Sequence, residues 1–221
     1  ATGFSMRAEA MAAHAATIRT FLAGTASAWG VWLVAGYAAP GAQRPANICG
    51  VFSPDGDEVL HYRKIHPFSL AGETTHYEAG DALATTEIEG LRVTPLICYD
   101  LRFPELFRAA ATSTDLFVVI ANWPTRRSHA WRTLLAARAI DSQAWVLGVN
   151  RVGRAEDHPH RGDSSLFDPW GTLTASLGDE SGVVIGEVDA EAVRHARERL
   201  PFLSDRRPEL YRRLEDEADK P

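Results

Sequence analysis

Val93-Thr94-Pro95-Leu96-Ile97 is an apolar run that ends at Cys98, and Tyr99-Asp100-Leu101-Arg102-Phe103-Pro104-Glu105 follows it directly. The run predicts a buried strand, and Pro104 marks a helix start, because proline is favoured at the first helical position. Cys98 therefore occupies a strand-to-helix elbow, where a thiol is presented to a ligand and the nearby helix N-terminus favours its thiolate. The alternative is a small apolar residue in a core, since free cysteine is among the most buried residue types.

Strands and helices alternate along the chain on either side of this elbow. The nearly all-apolar run at residues 116–121 is typical of a strand whose two sheet faces are both covered. This alternation favours an α/β layered fold in one domain that spans residues 1–221. Hydrophobic spacing predicts helices over residues 9–22, 104–111, 129–142, 190–200 and 208–217, and strands over residues 31–35, 48–52, 59–63, 91–98, 116–121, 144–150, 164–167, 173–176 and 183–188.

The composition excludes several classes of protein. The 221 residues carry a formal net charge of −6 without a long basic cluster, which argues against a nucleic-acid partner. No apolar stretch reaches the ~20 residues that span a bilayer, so we expect no membrane partner. The two cysteines, Cys49 and Cys98, form neither a disulfide framework nor a metal-site pattern, and they suit a reducing cytoplasm. Cys49 lies within a predicted strand and is expected in the core.

Three further polar residues lie at or near the ends of predicted strands. Lys64 closes one strand, Asn122 follows another, and Glu73 lies in a glycine-containing loop after Lys64. In a parallel sheet the carboxyl ends of the strands face the ligand crevice, so we expect Lys64, Cys98 and Asn122 to converge. Taken singly, each of these residues is explained as well by an ordinary position in a solvated loop.

Several short motifs occur in order nearly from end to end of the chain: Tyr62-Arg63-Lys64-Ile65-His66, Cys98-Tyr99-Asp100-Leu101-Arg102-Phe103-Pro104-Glu105, Asn122-Trp123-Pro124, Arg138-Ala139-Ile140-Asp141-Ser142-Gln143, Asn150-Arg151-Val152-Gly153, Gly162-Asp163-Ser164 and Asp205-Arg206-Arg207-Pro208-Glu209-Leu210-Tyr211. Together these motifs resemble the nitrilase superfamily of carbon–nitrogen hydrolases. The segments around Asn122 and Asn150, with the opening Thr2-Gly3-Phe4-Ser5-Met6, are most similar to its omega-amidase branch.

The resemblance implies a four-layer αββα sandwich and a Glu-Lys-Cys catalytic set. The family's nucleophile falls on Cys98, its lysine on Lys64 and a supporting glutamate on Glu73. A thiolate is a strong enough nucleophile for an amide carbonyl, and the Lys64 ammonium lowers the pKa of Cys98 and stabilises the oxyanion. The backbone N–H of Tyr99 is a second oxyanion donor, and Glu73 keeps Lys64 charged and oriented. The resemblance implies no metal or organic cofactor. It predicts a homodimer or a higher homo-oligomer that associates through the helices after Cys98 and Asn122.

The general base is the point at which this chain departs from the family pattern. In the family that glutamate lies just upstream of the segment that residues 2–6 resemble, so it falls before Ala1. The first strand, helix and second strand of the fold fall there as well. We therefore expect the chain as given to be N-terminally truncated and to hydrolyse amides poorly. Glu9 is no substitute, because its spacing assigns it to the following helix.

Substrate recognition follows from the omega-amidase resemblance, since that branch hydrolyses the terminal amide of short 2-oxo dicarboxylic acid monoamides such as 2-oxoglutaramate. The far carboxylate of such a substrate needs a cation, and an arginine fork fits it best. Arg127 is the candidate and Arg126 the alternative, although a solvated loop charge explains each as well. Asn122, Trp123 and Tyr99 are candidate pocket residues, and core packing explains the two aromatic rings equally well.

Two other functions fit the same residues. One is a sister specificity with the same catalytic set, for a nitrile, an N-carbamoyl group or another aliphatic amide. The other is a catalytically inactive member or fragment that serves as a binding protein. Outside the catalytic set, Asp100 and Arg102 are expected to tie the elbow turn together, and Arg138 and Asp141 to pair within one helix.

Overall fold

Two β-sheets form the centre of the fold in the computed structural model, which describes residues 5–155 and 158–218. The first sheet is antiparallel and runs in chain order through β1 (Leu33–Ala39), β2 (Ala46–Phe52) and β3 (Glu58–Arg63). A separate hairpin pairs β8 (Val152–Ala155) with β9 (His158–Arg161). The second sheet contains six strands: β4 (Thr86–Ile88), β5 (Leu91–Ile97), β6 (Leu116–Ala121), β7 (Trp145–Asn150), β10 (Ser164–Phe167) and β11 (Leu173–Leu177).

The six-stranded sheet has its parallel strands at the centre. Its order is β11-β10-β7-β6-β5-β4, in which β6 is parallel to both β5 and β7 and the outer strands are antiparallel to their neighbours. Ile97 pairs with Ile120 and Ala121 pairs with Asn150, so the carboxyl ends of the three parallel strands lie side by side. The loops that follow these strands therefore start from one edge of the sheet, where α/β proteins bind their ligands.

Seven α-helices surround the sheets within the described residues. Short 3₁₀ turns occur at Ser69–Ala71, Cys98–Arg102, Ala111–Ser113 and Thr125–Arg127. None of these helices combines the length and the hydrophobicity that a membrane span requires. The helices are α1 (Ala8–Ala12), α2 (Ala15–Trp29), α3 (Glu73–His76), α4 (Pro104–Ala110), α5 (Ser128–Ser142), α6 (Ala190–Arg199) and α7 (Pro208–Ala218).

The two sheets pack face to face, and α2 covers the outer face of the first. A buried cluster that contains Ala26, Tyr37 and Ile48 joins α2 to β1 and β2. The inner faces of the sheets approach closely at Gly36 of β1. A Cβ atom there would lie 2.8 Å from Cδ1 of Ile120, so any other residue would force the β6 side chain to move.

The outer face of the second sheet is covered by α4 and α5. Phe107 of α4 packs against Phe117 of β6 with ring centroids 4.8 Å apart. Trp131 and Leu135 of α5 are fully buried in the same cluster. The layers therefore run helix, sheet, sheet, helix, and the predicted αββα architecture is confirmed.

The stretch over residues 183–188 is not a strand, contrary to the prediction. It pairs with no other strand in the described part of the chain, and the side chains of Val183 and Ile185 are 81% and 85% exposed. Apolar, β-branched composition is a weak preference that depends on a neighbouring strand for its effect. Residues 183–188 therefore have the composition of a β-strand, but no neighbouring strand forms hydrogen bonds with them in the described part of the chain.

The N-terminal helix also differs from its prediction. The periodicity over residues 9–22 belongs to two helices, and α2 continues to Trp29. It ends there because Gly30 adopts a left-handed backbone (φ +60°), the usual way in which a glycine terminates a helix. Residues 2–4, which carry part of the family resemblance, lie outside the described residues.

Candidate active site

Lys64 and Glu73 form a buried ion pair, although each of them, taken singly in the sequence, is explained as well by a solvated loop position. Lys64 Nζ lies 2.7 Å from Glu73 Oε2, and the two side chains are 3% and 1% exposed. Lys64 directly follows β3, and Glu73 begins α3 after the left-handed Gly72 (φ +73°) turns the chain. Taking two charges out of water is costly, so such a pair depends on further hydrogen bonds.

Two neutral donors complete the surroundings of the Glu73 carboxylate. The backbone N–H of Phe68 donates to Glu73 Oε2 at 2.7 Å, and Asn47 Nδ2 donates to Oε1 at 3.2 Å. These bonds orient the carboxylate towards Lys64. No sequence motif singles out Asn47, whose role follows from strand pairing: the backbone N–H of Lys64 donates to Asn47 O at 2.9 Å.

Cys98 follows β5 and begins the 3₁₀ turn Cys98–Arg102 with a left-handed backbone (φ +49°). A positive φ is uncommon for a residue with a side chain, and it persists where the surrounding structure holds the backbone in place. The thiol Sγ lies 3.9 Å from the carbonyl oxygen of Asn122, which follows β6. The elbow predicted for Cys98 is present, and it brings the thiol to the edge at which the parallel strands end.

Burial raises the pKa of the Cys98 thiol above its ordinary value. The Lys64 ammonium lowers this pKa, but the carboxylates of Glu73 and Asp100 raise it, so the cation offsets burial only in part. The net direction of the shift is upward, so burial favours the neutral thiol over the thiolate. Attack on a substrate then requires an acceptor for the thiol proton.

Asp100 ties the elbow to the end of β3. Its carboxylate accepts hydrogen bonds from Ile97 N at 3.0 Å, from Tyr62 Oη at 2.9 Å and from His66 N at 3.0 Å. His66 Nδ1 lies 3.1 Å from the same carboxylate. Asp100 is fully buried, so these bonds satisfy its oxygens and hold the chain around Tyr62 and His66 against the elbow. The predicted role of Asp100 in the elbow turn is present.

The side-chain amide of Asn150, at the end of β7, holds the loop that follows β6. Asn150 Oδ1 accepts a hydrogen bond from Trp123 N at 2.7 Å, and Asn150 Nδ2 donates to Trp123 O at 3.1 Å. This arrangement directs the carbonyl of Asn122 towards the Cys98 thiol. The side-chain Oδ1 of Asn122 is buried and has no hydrogen-bond partner among the described residues.

Two arginines pack over aromatic rings in the loops that follow the strands. The guanidinium carbon of Arg127 lies 5.2 Å from the ring centroid of Phe68, and that of Arg102 lies 4.8 Å from the ring centroid of Trp123. Arg127 is partly buried, whereas Arg126 is exposed. The prediction that Arg102 ties the elbow turn together is wrong. Its side chain packs over Trp123, in the loop after β6, instead.

The two candidate pocket aromatics have different surroundings. Trp123 is buried, its Nε1 donates to Arg127 O at 2.7 Å, and its ring packs 5.5 Å from that of Trp131, so it belongs chiefly to the core. The ring of Tyr99 packs 4.8 Å from that of Phe68. The backbone N–H of Tyr99 lies in the first turn of a 3₁₀ segment, where amides lack intrahelical partners.

The remaining candidate groups are structural. Residues 5–155 and 158–218 contain no cluster of three or more His, Cys, Asp or Glu side chains that suits a metal ion. Cys49 is fully buried, and burial raises its pKa, so it is a core thiol as predicted. Arg138 Nη1 lies 3.5 Å from Asp141 Oδ2, as predicted, and Arg138 Nε donates to Leu101 O at 3.2 Å, which joins α5 to the elbow.

Comparison with known proteins assigns this arrangement to a family. Residues 1–198 match the sequence profile of the family described as carbon-nitrogen hydrolase. The chain belongs to the carbon–nitrogen hydrolase family. The resemblance to the nitrilase superfamily that the ordered motifs carry is therefore confirmed.

Two curated relatives refine the place of the chain among the carbon–nitrogen hydrolases. The 2-oxoglutaramate amidase of Bacillus subtilis (strain 168) is 35% identical over 195 residues, which are 87% of this chain and 75% of the relative. An omega-amidase of Escherichia coli (strain K12) is 42% identical over 152 residues, which are 68% of this chain and 59% of the relative. The chain thus matches only part of the length of each relative, and its similarity to the omega-amidase branch is confirmed.

A solved carbon–nitrogen hydrolase supports the fold. The CN-hydrolase superfamily protein of Xanthomonas campestris is 30% identical and superposes with a TM-score of 0.86 over 93% of this chain and 81% of that protein. That structure carries an arsenic adduct in its active site. The shared fold therefore covers nearly the whole of this carbon–nitrogen hydrolase chain.

Proposed function

We propose that this carbon–nitrogen hydrolase cleaves the terminal amide of a short dicarboxylic acid monoamide, in particular a 2-oxo acid such as 2-oxoglutaramate. Cys98 is the nucleophile, the acyl group is held as a thioester, and ammonia is released. The observation that carries the proposal is the buried Lys64–Glu73 pair, whose cation lowers the pKa of Cys98. Costly buried charges that act on a nucleophile are characteristic of catalytic sites.

Acylation begins when Cys98 Sγ attacks the amide carbon and the carbonyl oxygen takes up negative charge. The Lys64 ammonium and the backbone N–H of Tyr99 stabilise this oxyanion, because both are donors held near the thiol before the reaction starts. The buried Oδ1 of Asn122 accepts a hydrogen bond from the substrate NH₂ group. The substrate amide is then held by donors on its oxygen and by an acceptor on its nitrogen.

The tetrahedral intermediate collapses by breaking the carbon–nitrogen bond, and the nitrogen leaves as ammonia with the proton that came from the thiol. Water then attacks the thioester carbon, the acid product leaves, and Cys98 regains a proton. A general-base carboxylate makes these proton transfers, as the family resemblance implies. Glu73 does not serve as that base, because Lys64, Phe68 and Asn47 already bind its carboxylate.

Arg127 supports the preference for an anionic substrate. Its guanidinium is partly buried and lies over the ring of Phe68, whose backbone N–H donates to the Glu73 carboxylate. An acid whose amide carbon reaches Cys98 and whose carboxylate reaches Arg127 is a short one. The names of the two relatives, a 2-oxoglutaramate amidase and an omega-amidase, agree with that class of substrate.

Ammonia release from 2-oxoglutaramate tests the proposal. We expect turnover by the wild type and a loss of about 10³-fold or more in Cys98→Ala, because the covalent step is removed. Cys49→Ala is the matched control, since it removes the other thiol from a core position. Faster turnover of a nitrile or an N-carbamoyl compound would assign that substrate class to the protein instead. If none of these compounds is turned over, the protein is a binding protein without catalytic activity.

We also propose that the protein is a cytoplasmic homodimer that associates through α4 and α5. A reducing compartment keeps Cys98 available as a thiol. Ile140 of α5 is 47% exposed and Leu134 is partly exposed, whereas Leu135 belongs to the core. Sedimentation velocity of the wild type and of Ile140→Lys tests the interface: we expect a dimer and a monomer, respectively, and a dimeric Ile140→Lys would contradict it.

A further inference from the structure

His160 is a buried side chain to which the proposed mechanism gives no role. It lies on β9, in the separate β8–β9 hairpin, and it is 7% exposed. Among residues 152–155 and 158–161, which are the described part of that hairpin, it is the single buried residue. Its neighbours in β9, among them His158 and Arg161, are exposed. A polar ring that turns inwards from an exposed hairpin needs hydrogen-bond partners.

Two backbone carbonyl groups are partners of the His160 ring. Its Nδ1 lies 3.0 Å from His158 O, within the hairpin. The second hydrogen bond is with the backbone of Asn122, in the loop that follows β6, and it raises the pKa of His160. A bond that raises the pKa of an imidazole runs from the ring to an acceptor, so the partner in Asn122 is its carbonyl oxygen. The ring therefore joins the hairpin to the loop after β6.

The carbonyl of Asn122 is also the group that faces the nucleophile. Cys98 Sγ lies 3.9 Å from this oxygen. A carbonyl oxygen has two lone pairs, so it accepts from the thiol and from the imidazole together. Asn150 binds the backbone of Trp123, one residue further along the loop. His160 thus contacts the atom of the loop that meets Cys98, whereas Asn150 holds the residue next to it.

The His160 ring is neutral near pH 7. Burial lowers its pKa below the ordinary value of 6.5, and the hydrogen bonds with His158 and Asn122 offset burial only in part. The positive charge of Arg151 lowers the pKa further. A neutral imidazole has one N–H, so the two carbonyl oxygens share this donor. The ring therefore holds the loop without placing a second cation beside the thiol.

We propose that His160 is a positioning residue for the attack by Cys98, and that it holds the Asn122 carbonyl against the thiol. This inference rests on the proposed function, in which Cys98 is the nucleophile, and it makes the β8–β9 hairpin part of the active site. The contact of the thiol with this carbonyl sets the direction from which Sγ meets the amide carbon. A misdirected nucleophile lowers the rate of the bond-forming step more than it lowers the affinity for the substrate.

His160→Phe keeps a flat ring and removes the donor. We expect kcat for 2-oxoglutaramate to fall about tenfold or more while KM changes little, because the lost orientation acts on the reacting step. His160→Gln retains an N–H donor and is expected to restore part of kcat. His158→Phe is the matched control, since its ring is exposed on the same hairpin and its contact with His160 is made by the backbone. An unchanged kcat in His160→Phe, or an equal fall in His158→Phe, overturns the inference.

A second measurement leaves His160 in place and needs no hydrolysis. In Cys49→Ala, Cys98 is the single thiol, so iodoacetamide alkylates it selectively. We expect alkylation to shift the ring ¹⁵N resonances of His160, because the alkylated sulfur no longer donates to the Asn122 carbonyl that the ring shares. The resonances of His195, which is exposed on α6, are expected to stay in place. His160 resonances that do not move on alkylation overturn the inference.

The two measurements separate this inference from the proposed function. If the protein hydrolyses no amide while alkylation of Cys98 shifts the His160 resonances, the proposed function fails and the positioning of the thiol by His160 stands. If the protein hydrolyses 2-oxoglutaramate and His160→Phe leaves kcat unchanged, the proposed function stands and the role of His160 is refuted.

Discussion

Asn150 and Trp123 are joined by two hydrogen bonds from one side-chain amide: Asn150 Oδ1 accepts from Trp123 N at 2.7 Å, and Asn150 Nδ2 donates to Trp123 O at 3.1 Å. The same Nδ2 donates to Gly162 O at 2.8 Å. The end of β7 thereby holds both the loop after β6 and the turn before β10. Because Asn122 directly precedes Trp123, this clasp sets the position of the carbonyl that faces the Cys98 thiol.

We predict that Asn150→Asp destabilises the protein and lowers its activity without changing the size of the side chain. The substitution replaces the Nδ2 donor by an oxygen that faces two carbonyl oxygens. We expect the free energy of unfolding to fall by about 2–4 kcal/mol, since buried acceptors lose their donor and a charge is buried. Urea denaturation and ammonia release measure the two effects, and a denaturation curve equal to that of the wild type would refute the prediction.

The Lys64–Glu73 pair predicts that a second substitution can restore the stability of a Lys64 variant without restoring its activity. Lys64→Met removes the cation beside a buried carboxylate, so we expect it to cost about 3–5 kcal/mol of unfolding free energy. Adding Glu73→Gln removes the buried charge and restores part of that stability. Activity stays lost in the double variant, because the cation that stabilises the oxyanion is absent. Denaturation of both single variants and of the double variant tests the coupling; equal instability of Lys64→Met and the double variant would argue against it.

The raised pKa of Cys98 predicts the pH dependence of its alkylation. Burial favours the neutral thiol, so we expect the rate of reaction with iodoacetamide to keep rising at pH values where an ordinary cysteine is already ionised. Lys64→Met is expected to slow the reaction further at a fixed pH, since the Lys64 ammonium lowers this pKa. Cys49→Ala provides the background in which Cys98 is the single thiol. A rate that is constant from pH 6 to pH 9 would show that the thiol is instead ionised.

Glu78 predicts a loss of stability in acid. Backbone N–H groups of Gln43, Ala42 and Arg44 donate to its carboxylate at 3.0, 2.9 and 3.2 Å and lower its pKa to about 2. Because the folded-state pKa is depressed, this stabilisation is present above the ordinary value of 4.5 and is lost as the pH falls towards 2.

The measurement for Glu78 compares urea denaturation of the wild type and of Glu78→Gln at pH 7 and at pH 2.5. We expect the variant to be the less stable protein at pH 7, and the difference to shrink at the lower pH because the wild-type carboxylate begins to be protonated. A difference that does not change with pH would show that the carboxylate charge contributes nothing.

The elements that were predictable are those with a strong local pattern. The strands at residues 116–121 and 164–167 have the predicted bounds, and α4 begins at Pro104 as predicted. Both faces of β6 are covered, so nearly every one of its positions is apolar. A buried strand can therefore be recognised from this run of the sequence alone. Residues 183–188 have a similar composition, but whether they pair depends on strands elsewhere in the chain, which local composition does not report.

Arg102 shows why the site is harder to predict than the fold. In the sequence it is a neighbour of Asp100 within one motif, and a shared structural role is the simplest expectation. Its direction depends on Trp123, which is held in turn by Asn150, 27 residues further along the chain. No local pattern connects these three positions.

By itself the sequence determined the alternation of strands and helices, the elbow that presents Cys98 and, through the order of its motifs, the family. Apolar periodicity and turn residues determine secondary structure through residues that are close in the sequence, so the sequence is sufficient to predict it. Only the tertiary structure decided that Lys64 and Glu73 are buried together, that the pKa of Cys98 is raised, and that Arg102 packs over Trp123. The energy of a charge depends on its burial and on the groups around it, and folding brings those groups together from distant parts of the chain.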